Sequence, residues 1–262
     1  MIKAMDKENK IISVCGLKKT YGKHEVLKGV DFSIAKGQIF SLLGSNGAGK
    51  TTVVRILSTL LKFNEGIISI CGYDLIKEPD KIRGCISLTG QYAAVDEMLT
   101  GRENMYLVAK LRHLKDYKER VAELLEMFEL TKASNKLVKT YSGGMRRKVD
   151  LAMSLLGDPK IIFLDEPTTG LDPQSRLKLW ENIKDLKNKG TTIFLTTQYL
   201  EEAERLADVV AVLDNGKIAS SGTPQELKIA LKSINNQEYE KDLPTLEDVF
   251  LSMVNKKENK NE

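Results

Sequence analysis

The sequence contains few cysteines and histidines, which limits the kinds of site it can form. There are three cysteines and two histidines among 262 residues. Cys15, Cys71 and Cys85 have no metal-like spacing and cannot all pair, so we expect small core residues in a reducing compartment. The two histidines, His24 and His113, are too few for a histidine-rich metal site.

Long hydrophobic runs are also missing. No apolar run approaches the ~20 residues that a membrane-spanning helix needs, so if this protein serves a membrane, we expect another chain to cross it. The opening segment MIKAMDKENK lacks an apolar h-region, and we therefore expect no signal peptide. A net charge of +4, with 29% charged residues, is too balanced to indicate a nucleic-acid partner by itself.

Short strand-like runs alternate with helical segments along much of the chain. The predicted strands are GQIFSLLG, GIISICG, GCISLTG, IIFLD, TTIFLTT and VVAVLD, and TTVVRILSTLLK reads as a helix. Short apolar strands separated by helices favour a parallel sheet that is covered on both faces. The sequence therefore predicts an α/β fold, with a core formed by residues 11–92 and 159–222.

Residues 93–158 interrupt this alternation and carry only helix signals, which predicts a helical subdomain inserted between two strands of one sheet. Thr100 with Glu103 has capping-box spacing, as does Asp116 with Glu119. One helical face after this second pair is apolar: Val121, Leu124, Leu125 and Phe128.

The two ends of the chain are charged. We expect residues 1–10 to be disordered and residues 223–262 to form a helical extension with a charged tail. Thr223, Pro224 and Glu226 open one late helix, with proline in its first turn, and another helix follows Pro244.

The segment LLGSNGAGKTT fits the phosphate-loop pattern G-x-x-x-x-G-K-[ST] and lies between a predicted strand and a predicted helix. Its glycines let backbone N–H groups converge on phosphate oxygens, and Lys50 can reach the β- and γ-phosphates. The Thr51 hydroxyl can ligate Mg²⁺. The alternative is a glycine-rich turn before a helix. The candidate nucleotide-binding residues here are Gly44, Ser45, Asn46, Gly47, Ala48, Gly49, Lys50, Thr51 and Thr52.

The segment IIFLDEPTTGLDP supplies two carboxylates at the end of a buried strand. Ligands lie at the carboxyl ends of strands in open α/β sheets, so Asp165 can contribute to an Mg²⁺ site. Glu166 can accept a proton from an attacking water. The alternative is an acidic pair at a helix N-terminus.

A second glycine motif begins at Tyr141 in YSGGMRRKVDLAMSLL. Ser142 is placed as a helix N-cap, and Gly143 and Gly144 leave the helix start open to an anion. The buried face of this helix is predicted to carry Val149, Ala152, Met153 and Leu156. Alone, Ser-Gly-Gly is weak evidence for a ligand site and is usually only a helix cap. The order in which it follows the phosphate loop and precedes LDEPTTGLD is a much more specific pattern.

With these motifs in this order, the chain resembles an ATP-binding-cassette (ABC) nucleotide-binding subunit over nearly its full length. The resemblance implies a P-loop NTPase (RecA-like) core with an antiparallel β subdomain and an inserted helical subdomain. It implies that Ser142, Gly143 and Gly144 contact ATP held by a second subunit. It also implies that Asp172, in GLDP, links the two sites.

The resemblance gives roles to two further residues. Tyr21 in KTYGKHEVL matches the aromatic residue that stacks on adenine. Gln91 in LTGQYAAVDEML matches a glutamine that meets Mg²⁺ beside the groove that receives a membrane-subunit helix. Without the family, Tyr21 reads only as a turn aromatic and Gln91 as a strand-end amide.

Two departures from the broad family pattern point to one branch. Tyr141 and Met145 flank Ser-Gly-Gly where Leu and Gln are commoner, and Gln198 stands where a histidine is usual. Both departures resemble the daunorubicin-resistance-type ATP-binding subunits of two-component exporters, as do GQYAAVDEMLTGREN, TTQYLEEAERLAD and TLEDVF. The branch implies that Gln198 senses the γ-phosphate of ATP without titrating. The alternative is a solvent-exposed amide that caps the following helix.

The resemblance therefore implies the ATPase motor of an ABC exporter, peripheral to the cytoplasmic face of the membrane. Two copies would enclose two ATP molecules and two Mg²⁺ ions and act on separate membrane-spanning subunits, with Glu166, Lys50 and Gln198 in catalytic roles. The cargo, a drug, an antibiotic or a lipid-like molecule, is only what the branch implies. Two alternatives remain: a soluble ABC-type ATPase that acts on DNA or ribosomes, and a regulatory nucleotide switch that does not hydrolyse ATP.

Overall fold

The fold is known from a computed structural model that describes residues 9–234 and 245–255. The expected disorder of residues 1–8 and the charged tail from residue 256 therefore lie outside the described residues. The first strand, β1, begins at Lys10, inside the range 1–10 that was expected to be disordered. In the described part of the chain, every helix is too short or too polar to span a membrane.

A six-stranded sheet forms the centre of the molecule, in the order β10-β9-β3-β8-β7-β6. Five of its strands run parallel, and β10 pairs antiparallel at one edge. Its strands are β3 (Ile39–Leu43), β6 (Ile86–Thr89), β7 (Ile161–Asp165), β8 (Thr192–Thr197), β9 (Val209–Asp214) and β10 (Lys217–Gly222). Every residue of β3, β7 and β8 is buried, as expected for parallel strands covered on both faces. The predicted parallel sheet is confirmed.

A second, four-stranded sheet has the order β2-β1-β4-β5 and is antiparallel. It contains β1 (Lys10–Tyr21), β2 (His24–Ala35), β4 (Glu65–Ile70) and β5 (Tyr73–Asp74). The antiparallel subdomain implied by the family resemblance is thus confirmed. The assignment of GIISICG to the parallel sheet is wrong, because β4 lies here. Its exposure alternates, and Ile67 is 71% exposed, which fits a strand with one solvated face.

Three α-helices and a short 3-10 helix (Val138–Thr140) lie between β6 and β7, within the predicted helical insertion. The α-helices are α3 (Gly101–Leu111), α4 (Tyr117–Met127) and α5 (Gly143–Ser154). The other helices are α1 (Lys50–Leu57), α2 (Pro79–Arg83), α6 (Pro173–Asn188), α7 (Leu200–Leu206), α8 (Pro224–Ile234) and α9 (Leu246–Asn255). The last two match the late helices expected after Thr223 and Pro244.

The two predicted capping boxes have different outcomes. The first is confirmed, because the Thr100 side chain accepts from the Glu103 N–H while Glu103 accepts from the Thr100 N–H. The second is wrong: Asp116 precedes α4 with a φ of 51° and makes no side-chain cap bond. An N-cap side chain reaches the first turn from an extended backbone, and the left-handed conformation of Asp116 does not provide it.

The helical insertion shares one hydrophobic core with the parallel sheet. The predicted apolar faces of α4 and α5 are buried in a cluster that also contains Ile162, Leu164, Ile193 and Leu195 from β7 and β8. Phe163 and Phe194, from the same strands, belong to a second cluster with α1 and the antiparallel sheet. Because both faces of β7 and β8 are packed, the ends of these strands have well-defined positions.

Two of the three cysteines, Cys71 and Cys85, pack against the core, and Cys15 departs from the expected place. Cys15 is exposed, and Cys71 and Cys85 are only half-buried. Burial raises the pKa of the Cys71 thiol to about 12, with Cys85 as a further cause, so this sulfur stays protonated near neutral pH.

Candidate nucleotide-binding site

The phosphate loop connects the end of β3 to the start of α1. Gly49 has a φ of 109°, and a Cβ atom there would lie 2.8 Å from the Leu27 Cδ2 atom, so both its conformation and its packing require glycine. Helix α1 begins directly after it, with no side-chain cap and no acidic residue in the first turn. Its first backbone N–H groups are therefore available to an anion.

Lys50 joins this loop to the end of β7. Its Nζ atom donates to the carbonyl oxygens of Gly44 at 2.8 Å and Ser45 at 3.1 Å. The same atom lies 3.1 Å from Oε1 of Glu166, and both side chains are buried. The two residues that the sequence assigned to phosphate binding and to proton transfer are thus an ion pair.

The end of β7 is held by the neighbouring strand β8. The Thr196 hydroxyl donates to Oδ1 of Asp165 at 2.5 Å. The N–H of Glu166 donates to the Thr196 carbonyl and lies within 3.1 Å of its Oγ1 atom. Glu166 has a φ of 47°, which is uncommon for a residue with a side chain, so these bonds stabilise a strained position. The Thr169 hydroxyl also lies 3.4 Å from Oε2 of Glu166.

Gln198 follows the last residue of β8 and is half-buried. Strand β8 pairs in parallel with β7, with Asp165 opposite Thr196. The N-cap of α7 is Tyr199, and that helix has no side-chain cap bond. The structure therefore contradicts the alternative in which the Gln198 amide caps this helix.

A cavity of about 450 Å³ brings these segments together. Its volume lies within the range of ~300–1,000 Å³ that is typical of small-molecule sites. Its lining residues are Val26, Asn46, Gly47, Gly49, Lys50, Thr51, Thr52, Gln91, Glu166, Thr169 and Gln198. Asp165 is not among them, and its carboxylate is engaged by the Thr196 hydroxyl. Residues from the phosphate loop, β2, the loop after β6 and the ends of β7 and β8 thus meet at one place.

Sequence reasoning missed two lining residues, Val26 and Thr169. Val26 lies in β2, which the strand patterns did not identify, so the sequence carried no signal for it. Thr169 lies three residues after Glu166 in the motif IIFLDEPTTGLDP, and this short spacing could have indicated that it lies near the site. Tyr21 does not line the cavity: it is 45% exposed at the end of β1, and the Lys19 ammonium lies 4.9 Å from its ring centroid.

The Ser-Gly-Gly motif lies outside this cavity. Ser142 and Gly143 are exposed, and the Ser142 hydroxyl caps α5 by accepting from the Met145 N–H at 3.2 Å. A Cβ atom at Gly144 would lie 2.5 Å from Oγ of Ser175, so glycine is needed for the close approach of α5 to the start of α6. The motif therefore presents its polar groups to the surface.

Asp172 caps α6 beside this motif. Its carboxylate accepts from the Ser175 N–H at 2.9 Å and from the Ser175 hydroxyl at 2.6 Å. These bonds, with the hydroxyl contributing most, hold the pKa of the Asp172 carboxyl below its ordinary value. Ser175 contacts both Asp172 and the start of α5, so the two sequence motifs are structural neighbours.

A buried carboxyl lies behind the end of β8. Glu202, in α7, accepts a hydrogen bond from the Trp180 indole N–H at 2.9 Å. Burial raises the pKa of this carboxyl, because the charged form is poorly solvated. No sequence pattern indicates this contact, since Glu202 is part of an ordinary acidic helix. It joins α7, which follows Gln198, to α6.

Together, the phosphate loop, the carboxylates at the end of β7 and the parallel sheet define a P-loop nucleotide-binding fold. The ABC transporter family model matches residues 27–169. The chain is 49% identical over 219 residues to the daunorubicin resistance ATP-binding protein DrrA3 of Streptomyces coeruleorubidus. That alignment covers 83% of this chain and 69% of the relative.

Solved structures agree with this match. An ATP-binding subunit of an ABC transporter is 29% identical and superimposes with a TM-score of 0.79, over 93% of this chain and 99% of that chain. An ATP-binding cassette solved as a dimer in a post-hydrolysis state, with ADP and Pi, is 26% identical with a TM-score of 0.72. That match covers 81% of this chain and 98% of the other. The chain therefore belongs to the ABC transporter family, and its fold is that of the family's ATPase domain.

Proposed function

We propose that this protein is the ATP-hydrolysing subunit of an exporter and that two copies enclose two Mg-ATP molecules. The observation that carries the proposal is the single cavity in which the phosphate loop, Gln91, Glu166 and Gln198 meet. A non-hydrolysing switch would not need a carboxylate in this cavity next to Lys50, so hydrolysis is the better explanation.

In the proposed reaction, Lys50 exchanges Glu166 for phosphate oxygens of ATP. Phosphate oxygens carry more negative charge than one carboxylate, and the open start of α1 favours their binding. Once Lys50 has turned to the phosphates, the Glu166 carboxylate is free to accept a proton from the attacking water. Gln198 can donate its amide N–H to a phosphate oxygen but cannot carry a proton, because the amide does not titrate near neutral pH.

The oxygen atoms available near the cavity fit Mg²⁺, which prefers hydroxyl, carboxylate and amide oxygens in proteins. Thr51, Asp165 and Gln91 would hold the ion. Thr51 is exposed and lines the cavity, and Asp165 already accepts a hydrogen bond from Thr196 that fixes its carboxylate. When bound, Mg²⁺ would neutralise charge on the phosphoryl group.

The second copy would complete each site. Ser142 and Gly143 are exposed and do not line their own chain's cavity, which supports a contact with nucleotide held by another chain. Asp172 lies beside them and would link the two sites. Tyr21, exposed at the end of β1, would stack on the adenine ring from outside the cavity.

Export is proposed from the relatives, of which one is named for daunorubicin resistance. We therefore propose a peripheral position on the cytoplasmic face of the membrane, separate membrane-spanning subunits, and a drug, an antibiotic or a lipid-like molecule as cargo. The second candidate, an ATPase acting on nucleic acid or ribosomes, is less well supported, because the net charge is only +4.

The test is ATP hydrolysis by the purified protein with Mg²⁺ and with the metal chelated, beside a Lys50→Ala variant. We expect metal-dependent hydrolysis in the parent and little in the variant. In cells, the protein should sediment with membranes and be released at high pH. Hydrolysis that survives Lys50→Ala would contradict the site, and a protein that stays wholly in the supernatant would contradict the role in export.

A further inference from the structure

A buried arginine connects α5 to both turns that carry predicted catalytic-site residues. Arg147 is 5% exposed. Its Nε atom donates to the Pro167 carbonyl at 2.9 Å, and its Nη1 atom donates to the Gly90 carbonyl at 2.5 Å. Pro167 directly follows Glu166, and Gly90 directly precedes Gln91. One side chain thus holds the backbone next to two lining residues of the cavity.

Asp150, one turn further along α5, extends this connection. Its Oδ2 atom accepts from Nη1 of Arg147 at 3.2 Å, and its Oδ1 atom accepts from the Ala94 N–H at 3.1 Å. Asp150 is also 5% exposed. The pair therefore holds both ends of the turn 90–94, in which Gln91 lies, and each charge compensates the other in a poorly solvated place.

The helix that carries this pair begins at the Ser-Gly-Gly motif. Gly143 is the first residue of α5, and Arg147 lies about one turn after it, because an α-helix has about 3.6 residues per turn. The start of α5 is exposed and does not line the chain's own cavity, whereas Arg147 is buried and bonds next to two residues that do. A single rigid element thus carries the surface motif and the contacts to Glu166 and Gln91.

We propose that Arg147 and Asp150 are a positioning pair. The pair places the turns that carry Glu166 and Gln91 for hydrolysis, so that the position of both turns depends on the position of α5. The pair does not touch nucleotide. The inference rests on the proposed function, because it assigns the pair to the hydrolysis step. Its simpler rival is a buried ion pair that only stabilises the fold.

Arg147→Lys separates these two explanations. Lysine keeps the charge that compensates Asp150, but its ammonium cannot reproduce the planar fork that reaches two carbonyls. Asp150→Asn keeps the shape and one oxygen that can accept from the Ala94 N–H, but it removes the charge and the second acceptor that pair with Arg147. The matched control is Lys148→Gln, which removes the next basic residue of α5. Lys148 forms an ion pair with Glu129 at 3.0 Å, outside the cavity lining.

The measurements are steady-state ATP turnover, ATP affinity, thermal unfolding and amide hydrogen exchange. For Arg147→Lys we expect kcat to fall at least about tenfold while ATP affinity stays within about threefold. Exchange in the peptide 90–98 should rise while the rest of α5 stays protected, and Asp150→Asn should raise exchange in the same peptide. Lys148→Gln should change none of these quantities.

Three outcomes would overturn the positioning role. The first is an Arg147→Lys protein with parental kcat and parental exchange in 90–98. The second is a rise in exchange spread evenly over the whole chain together with a lower unfolding temperature, which would mean a purely structural pair. The third is loss of kcat in Lys148→Gln as large as in Arg147→Lys. Failure of the proposed function would look different, because the parent itself would then not hydrolyse ATP.

Discussion

Gln198 stands at the end of β8 inside the candidate site, and Gln198→Ala tests its role. The side chain lines the same cavity as Lys50 and Glu166, at the end of the strand next to β7. A hydrogen bond to a charged group contributes roughly 1.5–3 kcal/mol. Since about 1.4 kcal/mol corresponds to a tenfold rate change, hydrolysis should slow on the order of 10–10²-fold, provided that the bond strengthens in the transition state.

The assay is steady-state ATP turnover as a function of pH for the parent, Gln198→Ala and Gln198→His. Histidine can also donate to a phosphate oxygen, so Gln198→His should keep substantial activity. It should add a pH-dependent limb near the imidazole pKa of about 6.5, which the parent lacks. Gln225→Ala is the control, because Gln225 is an exposed amide on α8. A Gln198→Ala protein as fast as the parent would refute the reasoning.

Three further predictions concern the surroundings of the site. Ser142→Arg should block dimer closure but leave ATP binding to the monomer intact, and mixing it with Lys50→Ala should restore turnover at one composite site; loss of monomer binding would contradict this. Tyr141→Phe should lower the free energy of unfolding by about 1–3 kcal/mol, because the Tyr141 hydroxyl donates to the Ala133 carbonyl at 2.6 Å; unchanged thermal unfolding would contradict it. Burial raises the pKa of Asp150 to about 6 from 3.8. Its contribution to stability is therefore fully present below pH 3.8 and lost as the pH rises through 6. Relative to Asp150→Asn, the free energy of unfolding of the parent should fall by on the order of 3 kcal/mol between these two pH values. A difference in unfolding free energy between the two proteins that does not change with pH would contradict this prediction.

The parallel sheet and the phosphate loop could be predicted from the sequence because their signals are local. The apolar runs of β3, β7 and β8 are short and are followed directly by Gly44, Asp165 and Gln198. Each of these strands ends at the same edge of the sheet, so their terminal residues had to meet. For the same reason, Glu166 and Lys50 could be assigned to one site.

The hairpin of β1 and β2 could not be predicted in this way. Both strands are half-exposed and mix polar with apolar residues, so their pattern is weak. Val26 was missed with β2. The contacts of Arg147 were missed for a different reason: a basic residue in a polar stretch of a helix reads as a solvated side chain. Only the folded chain brings the carbonyls of Gly90 and Pro167 to it.

The assignment of Asp116 to a helix cap shows the limit of spacing arguments. The residue has the right side chain and lies three residues before Glu119, but its backbone is left-handed. Ser142 and Thr100 have extended backbones, and both cap their helices. The side chain is therefore necessary for a cap but not sufficient, because the backbone must also aim it at the first turn.

The central claim is that Glu166 is the base for ATP hydrolysis, and Glu166→Gln tests it most directly. Glutamine cannot accept the proton, so turnover should fall on the order of 10²–10⁴-fold. ATP affinity should not fall, because Lys50 only loses an ion-pair partner that competes with the phosphates. Since ATP then persists, the protein should elute as a dimer in size-exclusion chromatography with Mg-ATP. A variant that hydrolyses ATP at the parental rate, or remains monomeric at saturating ATP, would contradict the account.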